Sequence, residues 1–359
     1  GKDANGVETI GGVKVVRNSG GKFQLYRFCY QKGETSKIWK ARQKLYYYFN
    51  RYIEQRFEMA LDELKPDVVH TNSLSGIPKT IWEIAEEKGI PVVHTVRDTL
   101  PISPYVYGHR ENKTIVAIHR AYGRRYSKYV SAVTAPSEYT LETSLATGWF
   151  SAAKIKRRVF NCVKYDDERL KRLIDEKSRR SGSRIKFMYA GRLVSIKAQL
   201  LKAFSEMREE CELHICGTGE LKPDIERAAS ADKRINFHGR LSSDRLQEMY
   251  EQCDVLIVPS CWPEPFGRVV IEGNASALPV IAADRGGIPE ILEITKCGKL
   301  YDADSSLELL SCMKTYLSRE KIGESLQHLG DGRLSAFSAD KQLNSFLEIY
   351  QMCKFQNAR

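Results

Sequence analysis

The chain has 359 residues, 42% hydrophobic and 28% charged, which is the composition of an ordinary soluble globular protein long enough for two domains. No run of about 18 apolar residues occurs, so no transmembrane helix is expected; the nine Cys are odd in number and scattered, without a C-x-x-C pair, which argues for reduced thiols rather than zinc or a disulfide framework. The formal charge of +11 lies wholly in residues 1–160, where 26 Lys and Arg face 15 Asp and Glu, whereas residues 161–359 balance at 30 and 30. A one-sided basic half suits a polyanion or an anionic membrane face, or else a solvated surface that maintains solubility.

The first residues carry no starting Met and no apolar signal core. Gly11-Gly12 reads as a turn before a strand at Val13–Val16. From Ser36 to Leu64 apolar residues recur at helical spacing, among them Ile38, Leu45, Phe49, Ile53, Phe57 and Leu61, and Lys, Arg, Trp and Tyr crowd the first half. That helix either packs on a core with a solvated basic face or lies against a bilayer headgroup zone. The basic cluster His119–Lys128 allows the same two readings.

Beyond it, apolar β-like runs alternate with helical stretches. Val68–His70 and Val92–Val96 flank a helix at Pro78–Lys88, and Ala132–Ala135 leads to a helix capped by Ser137. Asn161-Cys162-Val163 looks like the passage to a second sheet, entered after a charged helix near Asp166–Lys177. Its strands are expected at Phe187–Ala190, Glu212–Cys216, Ile235–His238, Val255–Val258 and Val280–Ala282. Such alternation predicts parallel sheets with helices on both faces. The predicted domains are 1–160, 161–337 and a C-terminal helix, 338–359, which either crosses back to the first domain or simply ends the second.

The chemistry concentrates between Pro259 and Glu290. Here Val255–Val258 ends in a Pro-Phe-Gly turn with Glu264 before it and Glu272 within the following helix, and the next strand ends in Gly-Gly-Ile-Pro-Glu. Ligands of open parallel sheets sit beyond the carboxyl ends of strands, where helix N-termini favour phosphate and carboxylates accept from hydroxyls. A nucleotide sugar has both groups. Upstream, Gly191-Arg192-Leu193 with Lys197 offers cations at a strand end, where they would stabilise a departing diphosphate.

In order, GRL with Lys197, GTGEL, NFHGRL, DVLIVPS and EPFGRVVIE with GGIPE resemble the donor half of retaining glycosyltransferase family 4, densely over residues 187–293. KPDVVHTNSLSG, IPVVHTVRDTLPIS and APSEYTLETSLATGW resemble its acceptor half more thinly. The resemblance implies an α/β chain of two Rossmann-like domains facing a cleft, the glycosyltransferase B fold, with the first domain incomplete because the family's opening strand, Gly-Gly loop and helix find no match. It also implies that Glu264 meets the donor sugar and Glu272 the ribose. Gly217, Phe266, Gly267 and Arg268 would cradle sugar and phosphate, with Arg192 and Lys197 on the pyrophosphate. Glu264, Arg192, Lys197 and Asp98 are the candidate catalytic residues. Arg97-Asp98 stands where many members have His-Asp; His70 and His94 read as packed histidines.

Three departures, Cys162, Ala198 and Ala277, replace family glycines and risk a backbone conformation that glycine alone reaches cheaply. The implied reaction moves a hexose-type sugar from a nucleoside diphosphate sugar to a hydroxyl of a glycan or lipid-linked acceptor, with retention, as in cell-surface polysaccharide synthesis. The leaving phosphate takes the acceptor proton. No Asp-x-Asp occurs at a strand end, so no metal or cofactor is expected, and no nucleic-acid module accompanies the basic half. The place expected is the cytoplasm, in peripheral contact with the inner face of an anionic membrane. The alternatives are a nucleotide-sugar epimerase or phosphorylase on the same fold, a glycoside hydrolase using Glu264 and Glu272, and a non-catalytic donor or anion binder.

Overall fold

A computed structural model describes residues 6–10, 12–17, 48–74, 77–103, 112–180, 184–194 and 198–357. The chain divides into two compact units. The first comprises Gly1–Thr134, Thr143–Arg157 and Glu348–Arg359; the second comprises Ala135–Glu142 and Arg158–Leu347.

In the first unit, β1 (Gly6–Ile10) and β2 (Val13–Arg17) form an antiparallel hairpin. Gly12 takes φ +82° between them, which accounts for the glycine at this turn. The expected turn before a strand is therefore present, with an unforeseen strand ahead of it. Within the helix anticipated over Ser36–Leu64, Tyr48 is helical, the chain breaks at Phe49-Asn50, and α1 (Arg51–Leu64) starts anew there because Asn50 caps it, its side chain accepting from the Ile53 amide. Residues 36–47 lie outside the described residues.

There follow β3 (Val69–Asn72), α2 (Thr80–Glu87), β4 (Val92–Thr95), α3 (Lys113–Ser127), β5 (Ala132–Ala135), α4 (Glu138–Leu145) and β6 (Ile155–Arg158). The four strands lie in the order β3-β4-β5-β6, with β3, β4 and β5 mutually parallel. Every residue of β4 and β5 is buried, as expected for strands covered on both faces. β6, with the sequence IKRR, shows one buried residue in four, too weak a pattern to read in advance.

The second unit is built on a sheet of six strands. After α5 (Asp167–Arg179), these are β7 (Ile185–Ala190), β8 (Cys211–Cys216), β9 (Ile235–Gly239), β10 (Val255–Val258), β11 (Val280–Ala283) and β12 (Gly298–Tyr301). Their order is β12-β11-β10-β7-β8-β9, and each adjacent pair is parallel. The connecting helices are α6 (Ala198–Ser205), α7 (Lys222–Ala231), α8 (Ser243–Gln252), α9 (Arg268–Ala275) and α10 (Ile288–Thr295). The chain continues through α11 (Ser306–Thr315), α12 (Arg319–Gly330), a 3-10 turn at Arg333–Phe337 and α13 (Ala339–Asn357). A doubly wound sheet reverses its winding between β7 and β10, and loops at such a switch point leave room for a ligand.

The core of this unit runs continuously from Val163 to Phe337. Gly273 lets α9 lie close on β10: a Cβ there would sit 2.5 Å from Leu256 Cδ2. Of the three glycine replacements, only Ala277 incurs the expected strain, with φ +53° in the left-handed region at full burial, a cost of about 1–2 kcal/mol. Cys162 is not among the described positive-φ residues and Ala198 is helical, the first residue of α6, so neither carries the left-handed cost anticipated for it. Among the described residues no helix is long and apolar enough to cross a membrane.

Candidate functional site

Loops pair at the carboxyl ends of the strands, that of β7 with that of β8 and that of β10 with that of β11, and the close approach of their backbones explains the glycines. Gly217 has φ +147°, and a Cβ on it would fall 1.8 Å from the Gly191 carbonyl oxygen. One on Gly219 would fall 2.1 Å from that of Leu193. The Gly191 amide bonds the Cys216 carbonyl at 3.0 Å, and the Leu193 amide bonds that of Thr218 at 3.0 Å. The Gly217 amide itself donates to the Gly239 carbonyl at 2.7 Å. What Gly217 contributes is therefore room for two loops to lock together, and its N–H is already engaged. Arg192 leaves this locked pair exposed, its carbonyl held by the Tyr189 hydroxyl at 2.9 Å. Lys197 lies outside the described residues.

Beyond β10, the Glu264 carboxylate is held by side chains of its own loop. Its Oε1 accepts from Trp262 Nε1 at 2.9 Å and from Ser260 Oγ at 3.1 Å. The Glu264 carbonyl accepts the Gly287 amide at 2.8 Å, and Gly286, at φ +63°, packs so closely that a Cβ would lie 2.3 Å from that carbonyl oxygen. Two successive strand-end loops are thus stacked, and each opens a helix. Phe266 turns its ring into the core, 2% exposed and packed near Phe160 and Phe337, and only its backbone faces the turn. Gly267 then takes φ +93° as the N-cap of α9, with no side-chain cap bond. A helix N-terminus capped in this way keeps its positive end for an anion.

One turn into α9, Arg268 and Glu272 are paired at 3.3 Å. Burial raises the Glu272 pKa, and Arg268 opposes the shift. Glu264 and Glu272 thus belong to the same strand-turn-helix unit, along with Gly267 and Arg268.

The N-terminus of α4, also in the second unit, is filled by contrast. Ser137 Oγ accepts the Thr140 amide at 3.0 Å, the cap expected from the sequence. Glu290 Oε2 and Oε1 accept the Glu138 and Tyr139 amides at 2.9 and 3.0 Å. The roles of Thr140, Glu290, Trp262 and Ser260 are not legible in the sequence, where their only signal is position inside PSCWPEPFG, APSEYT and GGIPE.

In the first unit, Asp98 follows β4 and accepts the Leu100 amide at 2.9 Å. It lies near Lys79, which is fully buried against the Tyr122 and Trp149 rings; burial lowers the Lys79 pKa to about 7, and Asp98 opposes the shift. His70 bonds Tyr350 and Thr95 at 2.6 and 2.7 Å, and His94 bonds Thr71 at 2.8 Å. Burial lowers their pKa values to about 4 and about 3, so both are packed neutral imidazoles, as expected. Among the described residues no cluster of three His, Cys, Asp or Glu could hold a metal ion.

Two family models match the chain. The one described as glycosyl transferases group 1 covers residues 171–331, and glycosyltransferase family 4 covers residues 13–157. An uncharacterized 42.6 kDa protein in the cps region of Klebsiella pneumoniae is 26% identical over 258 residues, 68% of this chain and 65% of that protein. A sulfoquinovosyl transferase of Arabidopsis thaliana is 32% identical over 145 residues, 38% of this chain and 28% of that enzyme. The chain therefore spans less than two thirds of either relative's length. Among solved structures, Anabaena HepE in complex with UDP superposes with a TM-score of 0.63 at 19% identity, over 84% of this chain and 82% of that one. Sucrose-phosphate synthase from Thermosynechococcus elongatus gives 0.69 at 16% identity, over 98% and 86%. At such identities the likeness speaks for the fold.

Proposed function

Because the chain belongs to the group 1 glycosyltransferases of the glycosyltransferase B fold, we propose that it transfers a hexose-type sugar, with retention, from a nucleoside diphosphate sugar to a hydroxyl of a glycan or lipid-linked acceptor, as in cell-surface polysaccharide synthesis. The observation that carries this reading is the strand-turn-helix at β10–α9. There, Glu264 is aimed by Trp262 and Ser260, the helix end capped by Gly267 has no side-chain cap bond, and Glu272 follows one turn later.

In this reading the donor phosphates lie on the α9 N-terminus and the exposed Arg192, with Lys197 as a second cation. Glu264 accepts from sugar hydroxyls and Glu272 from the ribose. Fixed amides and guanidinium stabilise the charge that grows on the leaving diphosphate as the glycosidic bond lengthens. The departing phosphate oxygen takes the acceptor proton on the same face, and Asp98 serves the acceptor side. HepE was solved with UDP, and with UDP-glucose, which supports a nucleotide-sugar donor here.

The acceptor-side reading includes a membrane surface. It rests on the excess of Lys and Arg in residues 1–160; α1 itself exposes Tyr52, Met59 and Leu64, with Arg51 and Arg56 toward its start and Glu58, Asp62 and Glu63 toward its end.

A panel of UDP-, GDP- and ADP-sugars, scored by thermal shift with Glu272→Ala as control, tests the donor. The anomeric configuration of the product, read by NMR, tests retention. One base class should stabilise the protein and lose that effect in the variant; no shift with any donor sinks the reading.

A further inference from the structure

Resting on the donor site just described, we propose that Ser137, Thr140 and Glu290 form a clamp that positions the Pro265–Gly267 turn and aims the Phe266 amide at the donor. Ser137 and Thr140 are 0% and 4% exposed. Their hydroxyls both donate to the Pro265 carbonyl, at 2.6 and 2.9 Å, and so fill the two lone pairs of that oxygen. A planar trans peptide carries its C=O and N–H in opposite directions, and no cis bond occurs among the described residues. Fixing the Pro265 oxygen against α4 therefore turns the Phe266 N–H away from α4.

Capping alone does not explain this arrangement. A cap needs only that the Ser137 oxygen accept the Thr140 amide, a bond it makes at 3.0 Å. Thr140 has no role in that bond as a hydroxyl, yet its Oγ1 is spent on Pro265. Glu290 completes the grip from the next strand-end loop, with Glu138 and Tyr139 amides and the Arg158 guanidinium, at 3.0 Å, on its carboxylate. Gly287, which ends that loop as the N-cap of α10, is hemmed in by the clamp. A Cβ on it would lie 2.7 Å from Ser137 Cβ and 2.8 Å from the Pro265 oxygen. Its amide holds the Glu264 carbonyl, so the same contacts fix both flanks of the turn.

The three are positioning residues, acting through the Pro265–Phe266 peptide. The experiment compares wild type with Ser137→Ala, Thr140→Val, Thr140→Ser, Glu290→Gln and the Ser137→Ala/Thr140→Val pair. UDP, GDP and ADP are titrated calorimetrically, and backbone hydrogen exchange of residues 264–270 is followed without ligand. In the paired variant, exchange at Phe266 and Gly267 accelerates and the Kd of the preferred nucleotide rises about tenfold, as for one lost hydrogen bond. Thr140→Ser keeps the hydroxyl and stays at the wild-type values. Wild-type exchange and affinity in both the pair and Glu290→Gln overturn the clamp. Should wild type bind none of the three nucleotides while exchange still accelerates in the pair, the donor reading falls and the clamp stands. If the pair fails to fold, the single variants and Glu290→Gln decide by the same two readouts.

Discussion

Trp262 donates its indole Nε1–H to Glu264 Oε1 at 2.9 Å, across two residues of chain. The bond fixes the carboxylate of a residue whose backbone is already gripped by Gly286 and Gly287, so the side chain and the main chain of Glu264 are both held. Such over-determination is expected of a group that must present its carboxylate to a ligand in one orientation. Trp262→Phe keeps the ring and removes the donor. Sugar transfer should fall by roughly 10- to 100-fold in kcat, the worth of a hydrogen bond to a charged group, with little change in Tm. Full activity in that variant would deny Glu264 its proposed role.

Gly217 and Gly239 separate close packing from backbone strain. Both have positive φ, +147° and +64°, but a Cβ on Gly217 strikes the Gly191 carbonyl whereas one on Gly239 meets nothing within 4 Å. Gly239→Ala should therefore cost about 1–2 kcal/mol, the left-handed penalty alone. Gly217→Ala adds a backbone clash and should cost about 3 kcal/mol or more. Urea midpoints measure both, and the order of the two is the prediction.

Arg192 is exposed and its side chain can be shortened without opening the core. Arg192→Ala should weaken nucleoside diphosphate binding by about 10-fold or more while Tm stays within a few degrees. Isothermal titration with the preferred nucleotide checks this. An unchanged affinity would remove Arg192 from the donor site.

Lys177 is 1% exposed and donates to the carbonyls of Tyr250 and Ser276, both at 2.9 Å. Burial, helped by Arg180, lowers its pKa from 10.5 to about 7. Between those values the unfolded chain holds a proton that the folded chain does not, so this group makes stability rise with pH from about 7 to 10.5. Buried thiols act in the opposite sense at the upper end: burial raises the pKa of Cys211 and Cys216 to about 11. The difference between wild type and Lys177→Met isolates the lysine. The slope of unfolding free energy between pH 7 and pH 8.5 should be less positive in the variant, as read from urea curves.

Sedimentation with vesicles of anionic phospholipid tests the α1 surface. Tyr52→Glu with Met59→Glu should abolish binding that persists in wild type at low salt, without altering the urea midpoint, since both side chains are exposed. Equal binding by the pair would place membrane contact elsewhere.

Much of the second unit was legible before its structure. VLIV and VIAA are short, wholly buried parallel strands, and each announces itself as an unbroken apolar run closed by turn residues. β12, GKLY, was hidden because only its last residue is buried. β6 was hidden for the same reason. The break before α1 leaves no trace in the periodicity, because apolar spacing continues through Phe49 and Tyr52 while a single cap at Asn50 overrides it locally. At the site, Glu264, Gly267 and Glu272 could be named from their order in the chain. Ser137 could be read as a cap, but its bond to Pro265, 128 residues away, could not.

What the chain order alone determined was the α/β alternation, the family, and the identity of the acids and glycines in the β10–α9 turn, since periodicity and turn chemistry are local properties. What only the tertiary structure decided was how those parts are held. Gly217 serves backbone against backbone, Glu290 fills one helix end while Gly267 leaves another without a side-chain cap, and Lys177 is a buried staple. Each of these depends on which loops the doubly wound sheet brings side by side. That adjacency is created by non-local strand pairing, such as β7 beside β10, and leaves no mark on neighbouring residues in the chain.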